Sequence, residues 1–516
     1  MDETYERILL GIAPERQDFA QRLFQCLAVS IRPLRVEELA EILSIQFPAG
    51  ALPNYDMNWR PENSEDAVLS ACSSLITIVD VDGSRVVRFS HFSVKEYLIS
   101  ERLANAGSHL SRYHILPHSA HTILAQSSLS VLLAIDDQVD KESIKNFPLA
   151  IYAARYWVKH AQFHDVASGT KGAMELLFDP ARPHFSIWVW IYDIDHSFRE
   201  IMPTGRPTPP GAVPLFYATI CGFRDLVEHL ILTCPQDIDA RGVYHPAALH
   251  GAIVKGNVDI TALLLEHGAD VTVLNNDDWT PLHEASRRAH LDIVELLLDH
   301  HADVDIRDKN GSTPLSCASV EGRLDTTRVL LRRGASVDSR DNDGWTPLKL
   351  ASRYGHLDIA RMLLRGGAAV DSRDNDGWTS LMSASQGGRL DTIRLLLRSG
   401  DAMESRNNAG WTSLNIASLN GHPDVVHLLL RSGAAVGSCG NDGWTPLKSA
   451  SRNGHLGVVG LLLRSGAAVD SRDNDGWTPL MSASQGGYVD VVRLLLQSGA
   501  AMDSCDSDAS TPSNGA

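Results

Sequence analysis

The chain has 516 residues and a formal charge of -17, with 63 acidic against 46 basic residues. No cluster of Lys and Arg interrupts this acidic excess, so nucleic acid is not the expected partner. The seven cysteines include no C-x-x-C pair, which indicates reduced thiols in an intracellular, cytoplasmic protein. No apolar run approaches the roughly 20 residues that span a bilayer, and the charged N-terminus does not resemble a signal peptide.

Three helices and a hairpin are predicted near the N-terminus. The spacing of apolar residues predicts helices over residues 15–30, from Val36 onward and over residues 65–75. Residues 75–89 alternate in polarity and turn at Asp82, which indicates a β-hairpin. This combination is typical of a winged helix. Winged helices often bind DNA, but the second and third helices have the wrong charge for reading a groove. Their acidic residues are Glu37, Glu38, Glu41, Glu65 and Asp66.

The segment RFSHFSVKEYL at residues 88–98 resembles the end of the winged-helix module that follows the NACHT nucleotide-binding domain in fungal NLR-like proteins. Residues 2–9 resemble the linker from that NTPase, and residues 71–76 also fit. The resemblance implies a winged-helix domain over residues 1–108. It also implies a nucleotide-sensing role for His91, because the matching histidine of that family contacts the β-phosphate of bound ADP. The alternative is a histidine hydrogen-bonded at a strand end.

A nucleotide-binding loop is missing from the sequence. The dipeptide Gly-Lys does not occur, so the phosphate-binding loop with its lysine is absent. A NACHT NTPase is therefore expected only in cis, within a longer product, or in trans as a separate partner. We expect no cofactor for this chain itself.

Residues 109–205 are helical in character and include an aromatic stretch at residues 184–192. Similar segments join the winged helix to the repeats in the fungal class. We therefore expect this helical connector to cover the apolar face of the first repeat. Residues 202–211 are rich in proline and glycine and predict a linker.

A period of 33 residues governs the remaining sequence. The tripeptide T-P-L or T-S-L recurs at Thr280, Thr313, Thr346, Thr379, Thr412, Thr445 and Thr478. One period upstream, His250 takes the place of His283, and a divergent unit begins at Val213. The consensus D-G-W-T-P-L-x-x-A-S-x-x-G-H-x-D-x-x-x-x-L-L-x-x-G-A-x-V resembles the ankyrin repeat. It implies a mostly α fold, an ankyrin-repeat solenoid of about nine units over residues 206–507. Residues 508–516 predict a disordered tail.

Each unit contains signals for two helices and a loop. Thr346 is placed to cap the first helix, and Pro347 suits its first turn. Gly355 ends that helix, and Gly367 is placed to end the second one in the left-handed conformation. Residues 371–377 predict a projecting hairpin loop. No unit can bury its own apolar faces, so neighbouring units must stack.

The close copies from residue 344 onward differ mainly at two positions of the first helix. These positions are four residues apart and share one helix face. The pairs are Lys349/Arg353, Met382/Gln386, Asn415/Leu419, Lys448/Arg452 and Met481/Gln485. In the ankyrin family the first helices and hairpin tips line the partner-binding groove, so the resemblance implies that these ten residues form a partner-binding stripe. The alternative is that exposed positions drift.

The two stripe positions lead to two expectations, one about partner binding and one about packing between units. Lys349→Glu with Arg353→Glu should weaken partner binding and leave the thermal melt nearly unchanged, because exposed substitutions shift stability by only about 0.5 kcal/mol. The first position also replaces the histidine that the family usually has after T-P-L, which is kept at His283. We expect this replacement to remove a packing and hydrogen-bonding residue between units.

Aromatic and histidine residues recur at the repeat spacing. The tryptophans are Trp279, Trp345, Trp378, Trp411, Trp444 and Trp477, which we interpret as packing residues rather than a ligand-binding ladder. The histidines His356, His422 and His455 have no partners at metal-ligand spacing, so no metal site is predicted.

The sequence predicts a non-catalytic protein–protein interaction scaffold in NLR-like intracellular signalling or recognition. Its expected partners are proteins, with no nucleic acid and no membrane. No G-x-S-x-G, H-E-x-x-H or G-x-G-x-x-G motif occurs, so no enzyme activity is predicted. Two alternatives stay open. The chain could be the sensor fragment of a NACHT-type nucleotide switch, or a substrate adaptor for a modifying enzyme.

Overall fold

The structure of the protein is a computed structural model. The residues it describes are 2–48, 52–194, 206–207, 213–241 and 246–502. Contacts divide the chain into two compact units, Met1–Asp270 and Val271–Ala516. The predicted linker at 202–211 lies outside the described residues except for Arg206 and Pro207, and the predicted tail at 508–516 lies wholly outside them.

The N-terminal module has the predicted winged-helix pattern. Its elements are α1 Asp2–Leu10, α2 Gln17–Val29, α3 Val36–Ser44, α4 Ser64–Cys72, β1 Ile76–Val81, β2 Ser84–Phe89, α5 Phe92–Leu98, α6 Glu101–Ala104 and α7 Ser108–Ser111. Strands β1 and β2 pair antiparallel, with Val81 opposite Ser84. The two turn residues, Asp82 and Gly83, have φ values of 52° and 75°. Two positive φ values are what a two-residue type I′ hairpin requires.

The core of this module lies between the helices and the hairpin. Leu23, Phe24 and Leu39 are 0% exposed. The Val87 N–H donates to the carbonyl of Leu34 at 2.9 Å, which joins the segment before α3 to strand β2. The apolar stripes of the helices therefore close over one face of the hairpin.

The helical connector follows as four helices. They are α8 Pro117–Ala134, α9 Ala150–Ala161, α10 Val166–Leu177 and α11 His184–Ile191. Short 3-10 turns lie at Pro14–Arg16, Met57–Trp59, Ser143–Asn146 and Pro235–Asp237. The first two helix pairs of the repeat region belong to the same unit, as α12 Pro214–Cys221, α13 Arg224–Thr233, α14 Ala248–Lys255 and α15 Val258–Glu266.

Aromatic side chains join the connector to the first helix pair. The Trp157 ring stacks on Phe223 with 5.6 Å between centroids, and Trp188 meets Tyr217 edge-on at 5.9 Å. Trp157, Trp188 and Tyr217 are 0% exposed. The expectation that the connector covers the apolar face of the first repeat is confirmed.

Seven further helix pairs lie within the described residues of Val271–Ala516. They are α16 Pro281–Arg288, α17 Leu291–Asp299, α18 Pro314–Glu321, α19 Leu324–Arg332, α20 Pro347–Tyr354, α21 Leu357–Arg365, α22 Ser380–Gln386, α23 Leu390–Arg398, α24 Ser413–Leu419, α25 Pro423–Arg431, α26 Pro446–Arg452, α27 Leu456–Arg464, α28 Pro479–Gln485 and α29 Val489–Gln497. First helices pack on first helices and second helices on second helices, as in α20 on α22 and α21 on α23. This is the predicted solenoid stacking.

Candidate protein-interaction groove

The unit that begins at Thr346 demonstrates how local sequence builds a helix pair. The Thr346 hydroxyl accepts a hydrogen bond from the Lys349 N–H at 3.3 Å, and Pro347 lies in the first turn of α20. Gly355 ends α20 with a φ of 82°, and Gly367 follows α21 with a φ of 93°. In this left-handed region a Cβ atom introduces strain. The predicted capping and termination signals are confirmed.

The loops between units are joined by a ladder of asparagine side chains. Asn375 donates from Nδ2 to the carbonyl of Asn342 at 2.8 Å, and its backbone N–H donates to the carbonyl of Asp343 at 3.0 Å. The same side-chain bond recurs at Asn408, Asn441 and Asn474. Each loop is therefore held in register with its neighbour independently of helix packing.

The first position of the predicted stripe is buried in all five units. Lys349, Met382 and Asn415 are 0% exposed, and Lys448 and Met481 are 3% exposed. These residues cannot touch a partner of the folded array, so their prediction as partner-binding residues is wrong. The same burial contradicts the expectation that Lys349→Glu would leave the thermal melt nearly unchanged.

The buried position contacts the following unit instead of a partner. In three units its side chain hydrogen-bonds the carbonyl oxygen 29 residues further on. These contacts are His283 Nε2 with Ser312 at 3.0 Å, Lys349 Nζ with Trp378 at 2.5 Å, and Asn415 Nδ2 with Trp444 at 3.1 Å. Lysine and asparagine thus supply the bond that histidine supplies at 283. The expected loss of a hydrogen-bonding residue is wrong for these two units.

Two units add a buried ion pair at this position. Lys349 Nζ lies 3.1 Å from Asp374 Oδ2, with both side chains at most 4% exposed. Lys448 pairs with Asp473 in the same way. Burial lowers the pKa of Lys349, and the hydrogen bond that its ammonium donates to Asp374 opposes this shift. Asp374 Oδ1 also accepts the Trp378 N–H at 2.8 Å, so one carboxylate orders the loop and neutralises the lysine.

Where the buried position is Met382, the loop residue is neutral. Asn407 stands one period after Asp374 and accepts the Trp411 N–H at 2.9 Å, as the aspartate does in its own loop. In these neighbouring units the buried cation and the buried anion therefore change together. A comparison of Lys349 and Lys448 with the residues 25 positions later, Asp374 and Asp473, would have found these two ion pairs in the sequence.

The second position of the predicted stripe reaches the surface. Arg353, Gln386 and Leu419 are half-buried, and Arg452 and Gln485 are exposed. Arg353 Nη1 donates to Gln386 Oε1 at 2.5 Å, and Arg452 Nη1 donates to Gln485 Oε1 at 2.5 Å. These five side chains are open to a partner. Their partner-binding role stays a prediction.

Tryptophans support the two arginines. The Arg353 guanidinium lies 5.4 Å from the centroid of Trp345, and that of Arg452 lies 5.8 Å from Trp444. Trp444 also stacks on Trp411 at 6.4 Å. These contacts hold flexible guanidinium groups in place. These contacts agree with packing of the rings, and their half-burial leaves part of each ring at the surface.

A cavity of about 450 Å³ opens between Trp378 and Trp411. Its other lining residues include Asp376, Gln386, Asn408, Leu419 and Asn420. The cavity connects the two arginine sites through Gln386 on one side and Trp411 on the other. We call this surface the first-helix groove. It consists of Trp345, Arg353, Trp378, Gln386, Trp411, Leu419, Asn420, Trp444, Arg452 and Gln485.

The histidines at the repeat spacing hydrogen-bond to the unit before them. Their Nε2 atoms lie 2.9–3.0 Å from backbone carbonyls 36 residues earlier, in the contacts of His356 with Val320, His422 with Gln386 and His455 with Leu419. Over the part of the chain that the structure describes, no group of three or more His, Cys, Asp or Glu side chains is arranged to hold a metal ion.

His91 lies at the N-terminal end of α5. Its Nδ1 accepts the Ser93 N–H at 3.2 Å and lies 2.6 Å from the Ser93 hydroxyl. The ring packs on Phe92, with 4.3 Å between centroids, and Phe92 is 69% exposed. His91 therefore has a local role as a helix cap. Its contact with a nucleotide stays a prediction.

Two families of known sequence match this chain. The family described as "Ankyrin repeats (3 copies)" matches residues 215–308, 290–374, 363–438 and 432–506. The family described as "GPI inositol-deacylase, winged helix domain" matches residues 5–108. The two matches agree with the winged-helix module and the stacked helix pairs in the structure.

A curated relative is "Azaphilone pigments biosynthesis cluster protein L" of Monascus ruber. It is 30% identical over 292 residues, which cover 52% of this chain and 60% of that protein. The aligned part is thus less than two thirds of the relative's length. Within the described ranges, no helix is both long enough and apolar enough to cross a membrane.

Proposed function

Because the chain belongs to the ankyrin-repeat family, we propose that it is a non-catalytic scaffold that binds a partner protein in the first-helix groove. Ankyrin repeats point to a protein-interaction role. The observation that supports the proposal is the different burial of the two positions on each first helix. The first position is buried between units, whereas Arg353, Gln386, Leu419, Arg452 and Gln485 remain at the surface.

The proposed setting is NLR-like recognition inside the cell. The match of residues 5–108 to a winged-helix family supports this setting, since such modules follow the NACHT domain in fungal NLR-like proteins. The relative is named for a pigment biosynthesis cluster, so a protein of such a cluster is a further candidate partner. The groove would supply selectivity, because it contains both fixed charges and an apolar cavity.

The test is capture of partners from a fungal extract by the full chain, read by mass spectrometry. Arg353→Glu combined with Arg452→Glu should lose specific partners. Arg398→Glu combined with Arg431→Glu is the matched control, because these exposed arginines lie in the last turns of second helices and give the same change in charge. If both double variants capture the same proteins as the native chain, the groove is not the binding site.

A nucleotide switch is the second candidate, and His91 favours it. The exposed His91–Phe92 pair at the start of α5 is available to a nucleotide held by an NTPase in cis or in trans. Titration of the full chain with ADP, alone and with a NACHT NTPase added, tests this candidate. Binding that is lost in His91→Ala would support it, and binding unaffected by that change would remove His91 from the role.

A further inference from the structure

The first-helix groove repeats its polar contacts after 99 residues. Arg353 and Gln386 form the first arginine–glutamine pair, and Arg452 and Gln485 form the second, each at 2.5 Å. The buried ion pairs Lys349–Asp374 and Lys448–Asp473 lie beneath them with the same spacing. The lysine charges are thus neutralised inside the array. The two arginines provide the cationic groups at the surface of the groove.

The cavity between these two sites has a different chemistry. Trp378, Trp411 and Leu419 supply its apolar surface, while Gln386, Asn408 and Asn420 supply side-chain amides. Amide groups both donate and accept, as the backbone of an extended peptide does. The cavity has a volume of about 450 Å³, which lies in the range of about 300–1,000 Å³ that is typical of ligand pockets.

One carboxylate faces the cavity, and this limits the choice of occupant. Asp376 is exposed and lies on the lining. A carboxylate accepts hydrogen bonds and repels phosphate, so an anionic nucleic-acid backbone fits poorly beside it. A peptide N–H fits well. The groove therefore favours a ligand that places acidic side chains beside the two arginines and an uncharged segment beside the cavity.

The spacing of the repeats sets the length of that segment. The two arginines are separated by three steps between packed first helices. At 8–10 Å per step this separation is roughly 24–30 Å. An extended peptide advances about 3.3 Å per residue, so roughly seven to nine residues join the two arginine sites.

We propose that the first-helix groove binds an extended peptide segment of a partner protein, in which two carboxylate side chains roughly seven to nine residues apart flank one large apolar side chain. The carboxylates pair with Arg353 and Arg452, and the apolar side chain enters the cavity beside Leu419. This inference rests on the proposed scaffold function and adds the chemistry of the partner.

Selection from a phage-displayed library of random 16-residue peptides on the full chain tests this inference. We expect the enriched sequences to share two acidic positions at the stated separation with an aromatic or aliphatic residue between them. Binding of a fluorescein-labelled enriched peptide is then measured by fluorescence anisotropy. Arg353→Glu and Arg452→Glu should each weaken binding about tenfold, which corresponds to about 1.4 kcal/mol. Arg398→Glu should not.

A charge exchange separates direct contact from a structural effect. A peptide with one acidic residue replaced by arginine should regain affinity for one of the two glutamate variants and not for the other. Enriched peptides without paired acidic positions would overturn the inference, and so would affinities unchanged by both arginine substitutions. Failure to enrich any peptide would also overturn it. The scaffold proposal would still be judged separately, by capture of native proteins with the paired arginine variants.

Discussion

The Nζ of Lys349 lies 3.1 Å from the Oδ2 of Asp374, and both side chains are almost completely buried between two units of the array. The same carboxylate accepts the Trp378 N–H. One pair therefore joins a first helix to the loop that leads into the next unit. A buried ion pair adds little stability compared with an apolar pair of similar size. Removal of one partner is destabilising, because the other charge stays buried and unpaired.

Lys349→Met should destabilise the array strongly, by about 3–5 kcal/mol, because it leaves Asp374 buried without its cation. Lys349→Met combined with Asp374→Asn should recover most of this loss, since the double variant reproduces Met382 with Asn407 one unit later. Urea denaturation of the four proteins in the mutant cycle measures the coupling. If the loss in the double variant equals the sum of the losses in Lys349→Met and Asp374→Asn, the ion pair is not coupled.

Asp401→Ala should stabilise the array at neutral and alkaline pH. Asp401 is 6% exposed and stands where neighbouring units have Ala368 and Ala434. Burial, together with the charge of Asp371, raises its pKa from 3.8 to about 7. The contribution of Asp401 to the free energy of unfolding is therefore fully present below pH 3.8. It is lost as the pH rises through about 7.

The expected gain from Asp401→Ala at pH 8 is up to roughly 4 kcal/mol, at about 1.4 kcal/mol per pKa unit. The gain should shrink as the pH is lowered toward 4. Thermal melts of both proteins between pH 4 and pH 8 measure the difference, with Asp391→Ala as the exposed control. A difference that does not vary with pH would show that Asp401 stays ionised in the folded protein.

His160 should make the N-terminal unit sensitive to acid. It is 0% exposed, its Nδ1 lies 2.8 Å from the Nδ1 of His121, and its Nε2 lies 2.9 Å from the Tyr152 hydroxyl. Burial, together with His121, lowers its pKa to about 3. Its contribution to stability is therefore complete above about pH 6.5 and is lost as the pH falls from there toward 3.

His160→Gln should flatten this acid-side dependence. The amide keeps a donor and an acceptor but does not take up a proton in this pH range. Thermal melts of the full chain from pH 7.5 to pH 4.5 provide the comparison with the native protein. An unchanged slope would assign the acid sensitivity to other groups.

His422→Ala should weaken the contact between its own unit and the unit before it. The His422 Nε2 lies 3.0 Å from the carbonyl oxygen of Gln386. Loss of this bond should cost about 0.5–1.5 kcal/mol. His427→Ala is the matched control, because His427 is exposed on a second helix. A similar melting temperature for the two variants would mean that the bond contributes nothing measurable.

Much of the fold could be predicted because its signals are local. A threonine cap, a proline in the first turn and a glycine after the last turn each act within a few residues, so Thr346, Pro347 and Gly355 define α20 wherever the unit stands in the array. The alternation that turns at Asp82 defined the hairpin in the same way. Repetition of these signals every 33 residues was sufficient to establish the stacked architecture.

The assignment of surface residues depended on contacts that local sequence does not contain. Spacing by four places Lys349 and Arg353 on one helix face, but it does not say which of them lies beneath the next loop. That choice is made by Asp374 and Trp378, which come from the following loop and enclose the lysine. The sequence by itself determined the helices, their order and their repeat. Only the tertiary structure decided which side chains face a partner, because burial is a property of neighbouring units and not of a single helix.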